Sequence, residues 1–176
     1  MLPAELQKID AALTALASPA DAAAWSEKGR LLARLERNTS ALAAFDRALD
    51  LDPTLASAWM RKALLLEELD RVDQALAAYA GLLAHDPSHV PAWSNQAGLL
   101  MRAGRFEEAM TSLDHALAAD PDNHLLILNK GLLLLQAFER PAEALPWLER
   151  ALPSGLPEVA EAITICRGML HDMLSE

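Results

Sequence analysis

The sequence contains few of the residues that cross-link chains or build sheets. Among its 176 residues there are one Cys, one Tyr and three Phe. A single cysteine cannot form an internal disulfide, and Cys166 lies in an apolar stretch with helical spacing. We therefore expect Cys166 to be a small buried core residue in a reducing compartment. No run of about 18 apolar residues is present, which excludes a membrane-spanning helix.

The N-terminal segment lacks the features of a signal peptide. It has no basic start followed by an apolar block, and the acidic residues Glu5 and Asp10 interrupt it. We therefore expect the protein to be cytoplasmic.

Positive charge is also in deficit. The chain has 15 Lys and Arg against 25 Asp and Glu, a net charge of −10. A phosphate backbone or an anionic membrane surface would be repelled on average, so we expect no nucleic acid and no membrane as partner.

Hydrophobic residues make up 52% of the chain, which is enough for a packed core. Ala and Leu dominate them, and these unbranched side chains favour helix over strand.

Small, aromatic and proline residues recur at a spacing of 34 residues, which indicates an internal repeat. In the last repeat, the positions after the first helix come one residue late because its turn has an extra residue. The recurring columns are Pro19, Pro53, Pro87 and Pro121; Trp25, Trp59, Trp93 and Ile127; Ala41, Ala75, Ala109 and Ala144; Phe45, Tyr79, Leu113 and Leu148; and Ala48, Leu82, Ala116 and Ala151.

The spacing within one repeat predicts two helices. Trp25, Gly29 and Leu32 lie on one face of a first helix, and Ala41, Phe45 and Ala48 lie on one face of a second. Small residues let two helices approach closely while the aromatic ring fills the space beside them. Asp-Pro pairs end the second helices, because the residue before proline avoids the helical region.

This pattern resembles the tetratricopeptide repeat, W-x2-L-G-x2-Y followed by A-x3-F and P. The resemblance implies an all-α, right-handed tetratricopeptide-repeat solenoid, an α-α superhelix. Its four full repeats would cover residues 22–55, 56–89, 90–123 and 124–156. An N-terminal helix over residues 1–20 and a C-terminal capping helix over 157–176 would close the ends, giving ten helices in a single domain, 1–176.

The last repeat departs most from the family pattern. It lacks the tryptophan, has one extra residue in its turn, and carries Pro146 inside its second helix. Proline removes a backbone hydrogen bond, so we expect a kink there. In all four repeats leucine replaces the first-helix aromatic residue, at Leu32, Leu66, Leu100 and Leu134.

Signals of enzyme chemistry are nearly absent, and we expect no catalytic residues, no cofactor and no metal. His85 and His89 are four residues apart, but Asp86-Pro87 ends the helix between them, so they would not share a helix face. The sequence has no Gly-rich phosphate loop and no His-Glu-x-x-His pattern. Its acidic pairs are typical of a solvated helical surface.

The resemblance implies that the first helices line a concave, partner-binding groove. The groove residues would be Ser26, Arg30, Arg34, Met60, Arg61, Leu64, Ser94, Asn95, Met101, Arg102, Leu128, Asn129, Leu132 and Leu135. Its arginines suit the capture of carboxylates. The alternative is that they are simply solvated and paired with Glu27 or Glu67.

Four of the leucines in repeat four, Leu125, Leu128, Leu132 and Leu135, form a continuous stripe. Either the C-terminal helix or a second copy of the protein buries this stripe, or it binds apolar side chains of a partner. We expect an outside cover, from a partner segment or from a homodimer, because a groove is open by construction.

A known clamp of this family, which grips the acidic tails of heat-shock chaperones, is not present. Of the positions that would hold its Lys, Arg and Asn residues, only Asn95 fits. Two functions remain, both non-enzymatic. The first is a scaffold or adaptor that binds a peptide or helix of another protein with acidic and apolar residues. The second is a small acidic cytoplasmic chaperone for a secreted or assembly subunit.

Overall fold

The computed structural model describes residues 21–175, and every regular element in that range is helical. The predicted N-terminal helix over residues 1–20 lies outside the described residues. The elements are α1 (Ala22–Arg34), α2 (Asn38–Leu51), α3 (Ala56–Glu68), α4 (Val72–His85), α5 (Val90–Arg102), α6 (Phe106–Ala119), α7 (His124–Gln136), α8 (Pro141–Ala151), a 3-10 turn (Leu152–Ser154) and α9 (Pro157–Met173). The predicted all-α fold is confirmed.

The first helices of the repeats begin in the 34-residue register of the sequence, at Ala22, Ala56, Val90 and His124. Side chains cap three of these starts. Asp21 accepts a hydrogen bond from the backbone N–H of Ala24, and Asn123 accepts one from that of Leu126. The Nδ1 atom of His89 accepts one from Ala92, so this histidine serves as a helix cap.

The turn inside each repeat uses one residue in the left-handed region. These residues are Glu36, Asp70, Gly104 and Glu139, with φ between 51° and 72°. Only the third repeat uses glycine, which adopts this conformation without a steric penalty. The close helix hairpins therefore depend on packing strong enough to hold three non-glycine residues in a disfavoured conformation.

The predicted columns of the second helices form the interior of the helix pairs. Each of these side chains is at most 1% exposed: Ala41, Phe45, Ala48, Ala75, Tyr79, Leu82, Ala109, Leu113, Ala116, Ala144, Leu148 and Ala151. Small residues alternate with one large side chain, so the paired helices approach closely around it. The interior predicted from the repeat is confirmed.

The helices group into two compact units, one spanning Met1–Pro87 and the other Ser88–Glu176. The first contains α1 to α4 and the second α5 to α9. The single domain over residues 1–176 stays a prediction. In the first unit α1 packs against α2 and also against α3, and α3 packs against α2 and α4. This arrangement places the exposed faces of α1 and α3 next to each other.

In the second unit α9 packs against α8 and also contacts α7. It buries Val159, Ala162, Ile163 and Cys166. The predicted burial of Cys166 is confirmed, and desolvation raises the pKa of its thiol above the ordinary value. Helix α8 continues through Pro146 but has only 11 residues, whereas α2, α4 and α6 have 14 each.

The tryptophans lie at the edges of the helix pairs and are half-buried. The indole N–H of Trp59 donates a hydrogen bond to the carbonyl of Pro53 at 2.8 Å. Lysines lie near several of these rings: Lys28 is 4.6 Å from the ring centroid of Trp25, and Lys62 is 5.6 Å from that of Trp59. The ammonium group of Lys62 also pairs with Asp46 on α2 at 2.6 Å, and Lys130 pairs in the same way with Asp114 on α6.

Candidate functional site: the exposed face of α1 and α3

In the first unit, two neighbouring helices present the predicted groove residues. Helix α1 contributes Ser26, Arg30 and Arg34, and α3 contributes Met60, Arg61 and Leu64. Residues three and four apart lie on the same helix face, so each set forms a short stripe. Because α1 packs against α3, the two stripes form one surface.

Glu27 organises the cationic part of this surface. Its carboxylate accepts hydrogen bonds from Arg30 on the same helix, with Nε at 2.9 Å from both oxygens, and forms an ion pair with it. The same carboxylate lies 3.3 Å from Nη1 of Arg61 on α3. Arg61 also donates a hydrogen bond to the hydroxyl of Ser26 at 3.2 Å. One carboxylate thus orients two guanidinium groups on two helices, and the pairing with Glu27 that was one of the sequence-based alternatives is confirmed.

These contacts shift the titration of both partners. The pKa of Glu27 is lowered from its ordinary value, chiefly because Arg30 donates hydrogen bonds to the ionised carboxylate. The charges of Arg30 and Arg61 act in the same direction. The pKa of Arg30 is raised because its hydrogen bonds to Glu27 favour the charged form. The cluster contains two guanidinium groups and one carboxylate.

Beside the cluster lies a cavity of about 350 Å³ that opens on the surface between the two helices. Its lining combines apolar side chains with guanidinium groups and one carboxylate: Arg30, Ala33, Arg34, Phe45, Arg61, Leu64, Leu65 and Glu68. Leu64 is 41% exposed, which leaves an apolar side chain open to solvent next to three arginines. Arg34 forms no ion pair within the described part of the chain.

Ser26 occupies a different place from the one expected of a groove residue. It is only 1% exposed, because it lies under the guanidinium group of Arg61. The expectation that Ser26 contacts a partner directly is therefore wrong, and its hydroxyl instead orients Arg61. Met60 is half-buried, and the other four predicted residues of this unit line the cavity.

In the second unit the polar members of the predicted groove lie on α5 and α7. Ser94, Asn95 and Met101 on α5 are half-buried, and Arg102 is exposed at the end of the same helix. On α7, Asn129 is half-buried. Their part in binding stays a prediction.

The leucine stripe of repeat four is not an open surface. Leu128 and Leu135 are each 5% exposed and belong to the core of the second unit. Leu132 is half-buried, and only Leu125, at 55%, is exposed. The expectation that a partner or a second copy must cover this face is wrong for Leu128 and Leu135. Both are buried within this chain, where α9 contacts α7.

Sequence reasoning missed part of the site in the first unit. Ala33, Leu65, Phe45 and Glu68 line the cavity but were not among the predicted groove residues. Glu27 was considered only as a partner for solvated arginines. Two spacings could have indicated its role, because Glu27 stands three residues before Arg30 and one repeat length of 34 residues before Arg61. Residues one repeat apart occupy the same position on successive first helices.

Other kinds of site find no support in the described residues. Residues 21–175 contain no group of three or more His, Cys, Asp and Glu residues placed to hold a metal ion. In the same range, no helix combines the length and apolar character needed to cross a bilayer.

Comparison with known families identifies the class of protein. One tetratricopeptide repeat model matches residues 66–130. A second tetratricopeptide repeat model matches residues 5–56 and 99–162, which together are more than half of the chain. The protein therefore belongs to the tetratricopeptide repeat family, as the residue pattern predicted. Repeats of this family form scaffolds for protein–protein interaction, and that is the class to which this chain belongs.

Solved structures of the same fold have low sequence identity to this chain. MamA is 17% identical with a TM-score of 0.70, and the match covers 82% of each chain. PilF from Pseudomonas aeruginosa is 24% identical with a TM-score of 0.68, over 87% of this chain and 70% of that one. A tetratricopeptide repeat protein from Parabacteroides merdae is 19% identical with a TM-score of 0.69, over 88% and 61%. A sequence search among curated proteins gives no match. These likenesses establish the fold alone.

Proposed function

We propose that the surface of α1 and α3 binds an acidic segment of a partner protein, and that the chain acts as a non-enzymatic scaffold. The observation that supports this is the cavity in which Arg30, Arg34 and Arg61 surround an apolar floor. Three guanidinium groups lie around this one cavity, although the chain as a whole has a net charge of −10. Such a site favours a carboxylate beside an apolar side chain.

The cations differ in their availability to a ligand. Arg30 and Arg61 share the carboxylate of Glu27, so a ligand carboxylate would add to an existing cluster that has one positive charge in excess. Arg34 has no ion pair in residues 21–175 and is exposed at the end of α1. We infer that Arg34 makes the first contact with the carboxylate, while Leu64 and Leu65 receive the neighbouring apolar side chain.

The proposal can be tested with a fluorescein-labelled peptide of ten residues in which Asp and Leu alternate, and with a counterpart in which Asn replaces Asp. At low ionic strength, where the Debye length exceeds about 10 Å, the Asp peptide should bind more tightly than the Asn peptide. Arg34→Glu and Arg61→Glu should each weaken binding of the Asp peptide by roughly tenfold, equivalent to about 1.4 kcal/mol. Fluorescence anisotropy measures both affinities.

Arg47→Glu is the matched control. It makes the same change of charge in the same unit, on α2, but Arg47 does not line the cavity. Equal losses in Arg47→Glu and Arg34→Glu would mean that only net charge matters, and would refute the proposed site. Equal binding of the Asp and Asn peptides would refute the role of the arginines.

A further inference from the structure

The first unit contains a second cleft, which shares no residue with the cavity between α1 and α3. It lies between α2 and α4, with α3 along its floor, and has a volume of about 530 Å³. Leu66 and the ring of Trp59 form its apolar part, Ala78 lies at its base, and Lys62, Asp46 and Arg71 stand around it.

The same cleft occurs one repeat earlier. A space of about 540 Å³ beside α1 and α2 is lined by Trp25, Lys28, Leu32 and Ala44. Each of these residues stands 34 positions before its counterpart in the second cleft: Trp59, Lys62, Leu66 and Ala78. The cleft therefore recurs in the first two repeats.

Repeat four has a large side chain at the position that Ala78 occupies in the cleft of repeat two. There the first-helix tryptophan is replaced by Ile127, and a tryptophan appears on the second helix as Trp147. Trp147 stands 69 residues after Ala78, which is two repeat lengths of 34 plus the extra residue in the turn of repeat four. Its indole therefore projects from the position that Ala78 occupies in repeat two.

A lysine and an aspartate beside Trp147 have counterparts in the cleft, whereas Arg150, 4.9 Å from the ring centroid, aligns with Gly81. Lys130 is the counterpart of Lys62, and its ammonium group lies 4.1 Å from the ring centroid of Trp147. Lys130 also pairs with Asp114, as Lys62 pairs with Asp46. An aromatic ring held under this lysine gains a cation–π contact in addition to apolar burial. In repeat two the lysine and its aspartate are in place, and Lys62 lies 5.6 Å from the ring centroid of Trp59, while the base of the cleft beside them has only the methyl group of Ala78.

The charged side chains at the rim of the cleft set a second requirement for its ligand. Lys62 already pairs with Asp46 at 2.6 Å and lies 5.6 Å from the ring centroid of Trp59, so a ligand carboxylate needs another cation. Arg71 is exposed and forms no ion pair within the described residues. A guanidinium group in this position suits a carboxylate close to the ring.

We propose that the cleft of repeat two, formed by α2, α3 and α4, binds an aromatic side chain, tryptophan above all, of an acidic partner segment. The ring lies against Trp59 and Leu66 over Ala78, and a carboxylate next to it pairs with Arg71. This site is independent of the surface of α1 and α3, and a chain that uses both contacts its partners on two sides of the first unit.

The test uses N-acetyltryptophan, which carries an indole and one carboxylate, as the probe for nuclear magnetic resonance of the labelled full chain. The indole N–H signal of Trp59 and the methyl signals of Ala77 and Ala78 should shift and reach saturation in the millimolar range. Trp93, which stacks on His115 with ring centroids 4.4 Å apart, and Trp147, under Lys130, serve as internal references and should not respond. N-acetyltryptophanamide, which lacks the carboxylate, should bind about threefold more weakly.

Three variants decide the outcome. Trp59→Ile combined with Ala78→Trp copies repeat four and should abolish the shift of the Ala77 methyl signal, the reporter that this variant retains. Ala77→Trp, on an exposed position of the lining, closes the cleft without altering the core and should abolish the shifts of Trp59 and Ala78. Arg71→Gln should remove the difference between the acid and the amide.

Arg34→Gln, in the other site, should leave probe binding unchanged, so the two proposals can fail separately. The proposal is overturned if Trp59 shows no saturating shift, if the shifts persist in Ala77→Trp, or if the acid and the amide bind equally to the natural sequence.

Discussion

The ring of Phe45 on α2 lies directly against Gly29 on α1. A Cβ atom at Gly29 would stand 2.5 Å from Cε1 of Phe45, closer than carbon atoms approach in proteins. Repeat four has the same relationship, in which a Cβ at Gly131 would be 2.7 Å from Cδ2 of Leu148. The glycine of the family pattern therefore gives room to the large side chain of the second helix.

Replacing Gly29 with Ala should destabilise the protein by about 1–3 kcal/mol, because the buried ring of Phe45 would have to shift to admit the added methyl group. Urea denaturation followed by circular dichroism measures the change. Gly168→Ala is the matched control: Gly168 lies inside α9 with nothing within 4 Å of the added methyl group. That variant should be about 0.5–1 kcal/mol more stable, since alanine favours helix. Equal stability of the two variants would contradict the close contact.

The leucines of α7 provide a second test. Leu128→Ala should cost about 2–5 kcal/mol, because it removes a side chain from the core of the second unit. Leu125→Ala, on the same helix but exposed, should change stability by less than about 0.5 kcal/mol. Thermal unfolding measures the stability of both variants. If Leu128 lay on an open binding face, both variants would unfold at nearly the temperature of the natural sequence.

The titration of Glu27 is the third prediction. Its pKa in the folded protein should lie below that of an unperturbed glutamate, and Arg30→Gln should raise it, because the main hydrogen-bond donor is lost. The pairing then stabilises the folded state above the pKa of the unfolded chain, and this stabilisation is lost as the pH falls through the lowered folded pKa. Carboxyl-carbon magnetic resonance measures the value directly.

Glu108 is the control for this titration, because its pKa is lowered by hydrogen bonds from Arg105 and not from Arg30. Arg30→Gln should leave Glu108 unchanged. A Glu27 that titrates at the same pH in Arg30→Gln and in the natural sequence would show that the pairing does not persist in solution.

The sequence was sufficient for the parts of the fold that repeat. Small and large residues recur at 34-residue spacing because the two helices of each repeat pack against each other in the same way. The buried columns from Ala41 to Ala151 could therefore be predicted without a structure. The arginines of the candidate site do not follow this repeat, but helix geometry predicts that Arg30 and Arg34 share one helix face.

What could not be predicted depends on contacts between different parts of the chain. The pattern places Leu128 on a face that is open in an inner repeat, yet in repeat four it is buried, and α9 contacts the helix that carries it. Ser26 is covered by Arg61, 35 residues away, through a side-chain contact that has no periodic signal. The left-handed turn residues Glu36, Asp70 and Glu139 also lack the glycine that normally indicates such a turn.

The ion pair of Lys62 with Asp46 joins the second helix of repeat one to the first helix of repeat two, and Lys130 with Asp114 joins repeats three and four in the same way. Because dissolved salt screens ion pairs, ionic strength acts on the restraint that each pair places on its own step, from repeat one to two and from repeat three to four.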